Sequence, residues 1–316
     1  VKSLILKYAR YNHNDRLEDK HMNILIAGGS GFLGQALTQT LVRQHHHVTI
    51  LTRDPSKVAQ HAQVQAKRLT DLAVHDQYDV VINLTGAGIA DARWSDARKA
   101  ELLDSRLQTT QALVRWMHQV KQRPQVLLSG SAIGWYGAQG DLILTEDSKP
   151  HDEFVHQLCA QWEQAALEAQ TLGIRTVLLR TGVVLHPSGG MLKRVLLPFK
   201  LGLGGRLGDG QQWMSWVSRQ DWIAAVLFLM QQASLQGAFN LTAPHPVTNQ
   251  TFTTQFAQAL GRPAFFPAPA WVLKLLLGEM SGLLLDSQRI EPMRLQQAGF
   301  QFSHPELASY LSSILK

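Results

Sequence analysis

The stretch Met22-Asn-Ile-Leu-Ile-Ala-Gly28-Gly29-Ser-Gly31-Phe32-Leu33-Gly34 decides the fold. A short apolar strand runs into a glycine-rich turn, and an apolar helix follows. The N-terminus of a helix offers unpaired N–H groups and the positive end of its dipole to a phosphate. Glycine allows the sharp turn, the close approach of backbone to a pyrophosphate, and tight packing of the helix on its strand. Glycines at this spacing are a weak signal in isolation. Set between a strand and a helix, they predict a dinucleotide cradle at Gly28, Gly31, Phe32, Leu33 and Gly34.

Outward from the turn, the order of strand then helix repeats. A helix is expected over 31–44 and a β-branched strand over 47–52. Asp54-Pro55 has the form of an N-cap followed by a first-turn proline. The largely apolar run Val80-Val-Ile-Asn-Leu-Thr85, ended by Gly86, reads as a buried parallel strand. Residues 95–119 read as a long helix, and 126–128 as another buried strand ending in Ser129-Gly-Ser131. Residues 154–170 read as a helix and 174–180 as a strand closed by Thr181-Gly182. This order implies an α/β Rossmann fold, a doubly wound parallel sheet.

The second half loses that rhythm. Residues 189–210 are rich in glycine, and Ser218-x-x-Asp221 reads as a capping box opening a helix to 232. Residues 239–241 return as a strand, and beyond Pro244 short helices are separated by prolines. The expected organisation is a dinucleotide-binding domain over 22–185 and 218–242. A smaller, mostly helical C-terminal substrate lobe takes 186–217 and 243–316.

The 316 residues are 45% hydrophobic and 17% charged, which is enough apolar matter for a sizeable core. One cysteine, Cys159, excludes an internal disulfide framework and suits a reducing compartment, so the cytoplasm is the expected location. At its helical position it reads as a small buried apolar residue rather than a nucleophile. The formal charge of +6 comes from scattered Lys and Arg without a long basic run. That pattern argues against nucleic acid and suits an anionic cofactor or substrate.

No apolar stretch approaches membrane-spanning length. Residues Ala270–Leu277 are apolar but short, and are expected to form a packed helix. His45-His46-His47 lack the spaced partners of a metal site and read as a turn into the second strand. Residues 1–21 carry Lys2, Lys7, Arg10, Arg16 and Lys20 against Asp15, Glu18 and Asp19, a net +2. They lack the form of a signal peptide and read as an N-terminal extension, with Met22 as the functional start. The expected partner is a small-molecule substrate, with neither nucleic acid nor membrane; self-association is left open.

Four further segments carry a resemblance. They are Asn83-Leu-Thr-Gly86 followed by Arg93-Trp94, Ser129-Gly-Ser-Ala-Ile-Gly-Trp-Tyr136-Gly137, Leu179-Arg-Thr-Gly-Val-Val-Leu185, and Ser287-Gln-Arg-Ile-Glu-Pro with Ala298-Gly-Phe300. On these the chain resembles the extended short-chain dehydrogenase/reductases. More narrowly it is similar to the atypical epimerase/dehydratase-like proteins of the YfcH type. The resemblance implies a Rossmann fold binding a nicotinamide dinucleotide, with Val183 near the nicotinamide end. By position, Leu84, Thr85, Gly86 and Ser129 end strands where the dinucleotide crosses the sheet edge.

The residue after the second strand distinguishes the two nicotinamide cofactors. An acidic group there accepts from the ribose, whereas Arg accommodates a 2′-phosphate. Arg53 ends the strand, Lys57 lies one turn on, and Asp54 is better explained as the N-cap before Pro55. The expected cofactor is therefore NADP(H). Arg93 is the first cation after Gly86 and is read as a contact to a phosphate, to a substrate anion, or to the next helix.

Reductases of this resemblance use a Tyr with a Lys one helical turn on, and a Ser for the substrate oxygen. Ser131 matches the Ser. The corresponding helix reads Phe154-Val-His156-Gln157-Leu158-Cys159-Ala-Gln-Trp162-Glu163, with neither Tyr nor Lys. Tyr136 and His156 are candidate substitutes for the acid–base group; the alternatives are an amphipathic wall residue for Tyr136 and an exposed helix residue for His156. Trp213, Trp216 and Trp222 are read as lobe-interface packing. The expected function is an NADP(H)-dependent oxidoreductase or epimerase on a small, sugar-like or anionic substrate. The alternative is an NADP(H)-binding sensor or regulator that has lost the Tyr-x-x-x-Lys pair.

Overall fold

In a computed structural model describing residues 21–59 and 61–315, seven parallel strands form one central sheet. They are β1 (Asn23–Ala27), β2 (His47–Leu51), β3 (Val64–Lys67), β4 (Val80–Asn83), β5 (Val126–Ala132), β6 (Arg175–Thr181) and β7 (Gly237–Leu241). Their order across the sheet is β7-β6-β5-β4-β1-β2-β3. The direction of winding reverses between β1 and β4, so the crevice at their carboxyl ends is the topological switch point. Residues 1–20 of the expected N-terminal extension lie outside the described residues.

Among the described residues, the helices of eight or more residues are α1 (Phe32–Arg43), α2 (Asp96–Gln119), α3 (Phe154–Leu167), α4 (Gly190–Lys200), α5 (Arg219–Gln231), α6 (Asn249–Leu260), α7 (Ala270–Leu277) and α8 (Leu307–Ile314). The period-2 alternation of the strands sorts them onto two faces. Ile24, Ile26, Ile50, Ile82, Leu128 and Leu179 bury one face against α1 and α5. Leu25, Val81, Leu127 and Leu178 bury the other against α2 and the end of α3. The doubly wound sheet expected from the sequence is thus present, with β3 as an edge strand that the reading did not include.

Several local signals act as read. Asp54 accepts from the Ser56 amide at 3.2 Å and starts the short helical turn Pro55–Lys57. Ser218 caps α5, accepting from the Asp221 amide at 2.9 Å. His45 takes a positive φ of 63° in the turn into β2, and His46 accepts from the Met22 amide. A third apolar cluster, with Leu192, Trp216, Phe252, Phe256 and Tyr310, forms where α4, α6 and α8 meet. Trp216 and Trp222 are buried in packing, while Trp213 is half-buried.

One expectation is overturned. Helix α7 was expected to be packed, yet none of its residues is buried. Trp271 is 69% exposed, and Leu275 and Leu276 are exposed beside it. Composition reveals that a helix is apolar, but not whether the fold supplies a surface to cover it.

Candidate dinucleotide site and the polar cluster beside it

The glycine turn is built by close approach of backbone to backbone. Gly28 has a φ of +82°, and a side-chain carbon there would lie 2.7 Å from the carbonyl of Leu84. One at Gly34 would lie 2.3 Å from the Gly28 oxygen. Gly31 donates to that same oxygen at 3.0 Å and forms the extended N-cap of α1. No side chain caps this helix, and its first turn holds no acidic residue. The N–H groups of Phe32, Leu33 and Gly34 therefore open onto the crevice without intrahelical partners. The rings and alkyl groups here do other work. Phe32 fills the space beside Gly189 and lies under the Arg219 guanidinium at 5.4 Å, and Leu33 packs on the core.

The walls of the crevice come from the neighbouring strand ends. Ile50 of β2 touches the position of Gly29. Three residues on, Arg53 is exposed and has no hydrogen-bond or ion-pair partner among the described residues. Lys57, by contrast, pairs with Asp54 at 3.3 Å. On the other side, Asn83 is fully buried and accepts from the Thr85 hydroxyl at 2.6 Å while donating to Thr110 at 2.8 Å. Those bonds fix the course of Leu84, Thr85 and Gly86 over the end of β4.

Arg106, which the sequence reading missed, lies directly under Gly86. A side chain at Gly86 would meet its guanidinium at 2.9 Å. Arg106 is buried, donates to the carbonyls of Leu102 and Ala87, and faces Trp162. Among the described residues its Nε has no acceptor and it forms no ion pair, and burial lowers its pKa. A buried cation without a carboxylate leaves positive potential at this corner of the crevice.

Ser131 and Tyr136 are brought together, but inside a closed network. Ser131 donates to Glu163 at 2.6 Å. Arg180 grips Glu163 with two bonds, Nε at 2.8 Å and Nη2 at 2.9 Å. Its Nη1 donates to the Tyr136 hydroxyl at 3.2 Å, and that hydroxyl donates to Asn240 at 2.6 Å. The Asn240 amide in turn donates to Glu146, whose carboxyl burial holds above its ordinary range. The Arg180 guanidinium also lies 3.5 Å from the centre of the Trp135 ring. Tyr136 has no exposed surface, and burial pushes its pKa up to about 12 against the opposing pull of Arg180. A phenol so placed is a poor proton donor near neutral pH.

The remaining candidates are scattered. Ser129 is buried with its hydroxyl turned to the Gly130 carbonyl. Val183 is half-buried and pairs with Trp216. Arg93 is exposed and packs against Gly278 at the end of α7. His156 meets the Trp135 carbonyl at 2.6 Å. Cys159 is buried, and desolvation pushes its thiol up to about 12, which suits an inert packing role.

A strand, a glycine turn and an uncapped helix thus meet at the switch point of a doubly wound sheet. The model of the NAD-dependent epimerase/dehydratase family matches residues 24–242. The chain belongs to that family. A second model, a domain of unknown function designated DUF1731, matches residues 268–314. An epimerase family protein of Mycobacterium bovis is 41% identical over 292 residues, covering 91% of this chain and 96% of its own. The crystal structure of the human epimerase family protein SDR39U1 (isoform 2) with NADPH superposes with a TM-score of 0.85 at 33% identity. It covers 93% of this chain and 99% of the human one. A nucleoside-diphosphate sugar epimerase of Corynebacterium glutamicum gives 0.77 at 28% identity, covering 95% of this chain and 59% of that protein.

Proposed function

We propose that the chain binds NADP(H) at the Gly28–Gly34 turn and serves as an oxidoreductase or epimerase on a small, sugar-like substrate. The observation that carries the choice of cofactor is Arg53, an exposed guanidinium just after β2 without a partner among the described residues, where a 2′-phosphate is read. The human relative with NADPH and the sugar epimerase relative support the reading. The pyrophosphate would sit on the N–H groups of α1, with Thr85 and Gly86 along its path and Ser129 and Val183 lining the far side. When bound, the nicotinamide supplies hydride exchange. Arg93, exposed and without an ion pair among the described residues, would take a substrate anion. The dinucleotide domain would comprise 22–185 and 218–242, and the substrate lobe the remainder.

In this reading Ser131 and Tyr136 act as positioning residues, holding the β5 and β6 ends through Glu163 and Arg180. Titrating NADPH and NADH by fluorescence tests the cofactor. Wild type should favour NADPH, and Arg53→Ala should lose about one to two orders of magnitude toward NADPH alone. Equal affinities in the wild type overturn the assignment.

A second reading is a cofactor-binding sensor without turnover. It is favoured by the absence of Tyr and Lys from α3 and by the closure of the Ser131–Tyr136 network. A screen of NADPH oxidation against a broad carbonyl panel separates the two. Tight binding without oxidation of any compound supports the sensor.

A further inference from the structure

The C-terminal lobe exposes an apolar face that no other described residue covers. Two segments make it. The chain after α4 runs beside the segment leading into α7, joined by Phe266 N–H to Gly204 O at 3.1 Å and Ala268 N–H to Arg206 O at 2.9 Å. This pairing places Leu201 and Leu203 next to Phe265 and Phe266, and α7 follows at once with Trp271 and Leu275. These six side chains are each between 58% and 80% exposed. Single exposed apolar residues are ordinary; a contiguous group of this size on adjacent segments marks an interaction surface.

The charges of these segments identify what covers them. Residues 190–208 and 261–277 contain Lys193, Arg194, Lys200, Arg206, Arg262 and Lys274, and no Asp or Glu. Arg194 pairs with Asp91 and Lys274 interacts with Asp286 just beyond α7, which leaves Lys193, Lys200, Arg206 and Arg262 without an ion pair among the described residues. A second copy of the chain would bring two such basic faces together, which like-charge repulsion opposes. An anionic lipid surface satisfies both parts, since Trp, Phe and Leu enter the headgroup boundary while Lys and Arg meet lipid phosphates. A short helix with no buried residue suits this task, since its apolar side chains are free to insert.

We propose that this face docks peripherally on an anionic membrane, seated through Phe265, Phe266, Trp271 and Leu275. No helix among the described residues is long and apolar enough to cross a bilayer, so the attachment is to one leaflet. It does not depend on the cofactor reading.

The test is co-sedimentation of the full chain with phosphatidylcholine vesicles, with and without about one-third phosphatidylglycerol. Binding to the anionic vesicles should exceed that to neutral ones by about tenfold or more at low salt, and should fall as salt rises. The double variant Phe265→Ser/Trp271→Ser, which leaves the charge unchanged, should lose at least about tenfold of that binding. Lys200→Glu/Arg262→Glu should lose it as well. All four positions are exposed, so thermal unfolding should match wild type and exclude misfolding. No binding to anionic vesicles overturns the proposal, as does binding that neither variant weakens. So does a dimer in sedimentation velocity that Phe265→Ser/Trp271→Ser dissociates, which would assign the face to a second copy.

Discussion

Two stretches of one sheet edge are built on opposite plans. Where β1 meets α1, space is created by missing side chains, and backbone N–H groups are left without partners. A few strands away, at the ends of β5 and β6, Ser131, Glu163, Arg180 and Tyr136 are hydrogen-bonded to one another. The first plan brings backbone against backbone and leaves the N-terminus of α1 without a side-chain cap. The second ties each polar side chain to a partner within the protein. Polar residues that look chemical in sequence are here bound to one another, while the proposed cofactor turn is made by residues with almost no side chain.

The contrast predicts that stability and cofactor affinity respond to different substitutions. The largest effect is expected from Arg180→Met, which strands the buried Glu163. Losing one partner of a buried pair costs about 3–5 kcal/mol, so Tm should fall by roughly 10 °C while NADPH affinity in the folded fraction holds. An unchanged Tm would break the comparison. Gly34→Ala should behave in reverse. Its methyl meets the Gly28 carbonyl, and overpacking of about 1–3 kcal/mol should appear chiefly as ten- to hundredfold weaker NADPH binding by fluorescence titration.

Tyr136→Phe is expected to lower stability by about 1–3 kcal/mol, because Asn240 and Arg180 each lose a partner. Any turnover should keep its pH profile. Lost turnover with an unaltered Tm would instead place Tyr136 in the chemistry and merge the two regions into one site.

The smallest effect concerns His46, at the start of β2. Burial first, and then repulsion from His21, hold its pKa below the ordinary 6.5. The folded state prefers the neutral ring, so the unfolded chain binds the proton more readily. The stabilisation is complete above the unfolded value and is lost as pH falls through the window down to the depressed folded value. Tm measured across this window should fall less steeply in His46→Gln than in wild type.

Much of the architecture is legible because it is periodic or local. The near-continuous apolar runs of β1, β4 and β5 announce a sheet buried on both faces, and Asp54 and Ser218 announce their caps within three residues. The closed network is not local. Glu163 and Arg180 lie on α3 and β6, and Tyr136 finds Asn240 on β7, 104 positions away. A trace was nonetheless present. Glu163 stands in the buried stripe Leu158, Cys159, Trp162, Ala166 of α3, and Arg180 ends the apolar run Val177, Leu178, Leu179. A carboxylate and a guanidinium each set among apolar neighbours demand one another. Arg106 gave a similar hint within α2, and the missing contacts of α7 gave none, since a sequence records apolarity but not its cover.

The segment that follows α7 laces the molecule together. Arg289–Ile290 pairs with Ile143–Leu144, and Gln288 donates to the carbonyls of Ile133 and Gly137. The Glu291 carbonyl accepts from Asn240, and Arg294 clasps the carbonyls of Ala238 and Gln236. The region of unknown function thus completes the backbone of the loop that carries Tyr136. Chimeras that graft residues 268–314 from one relative onto 24–242 of another would have to match this lacing strand for strand. The boundary between the two family models is a seam in the sequence and not a joint in the molecule.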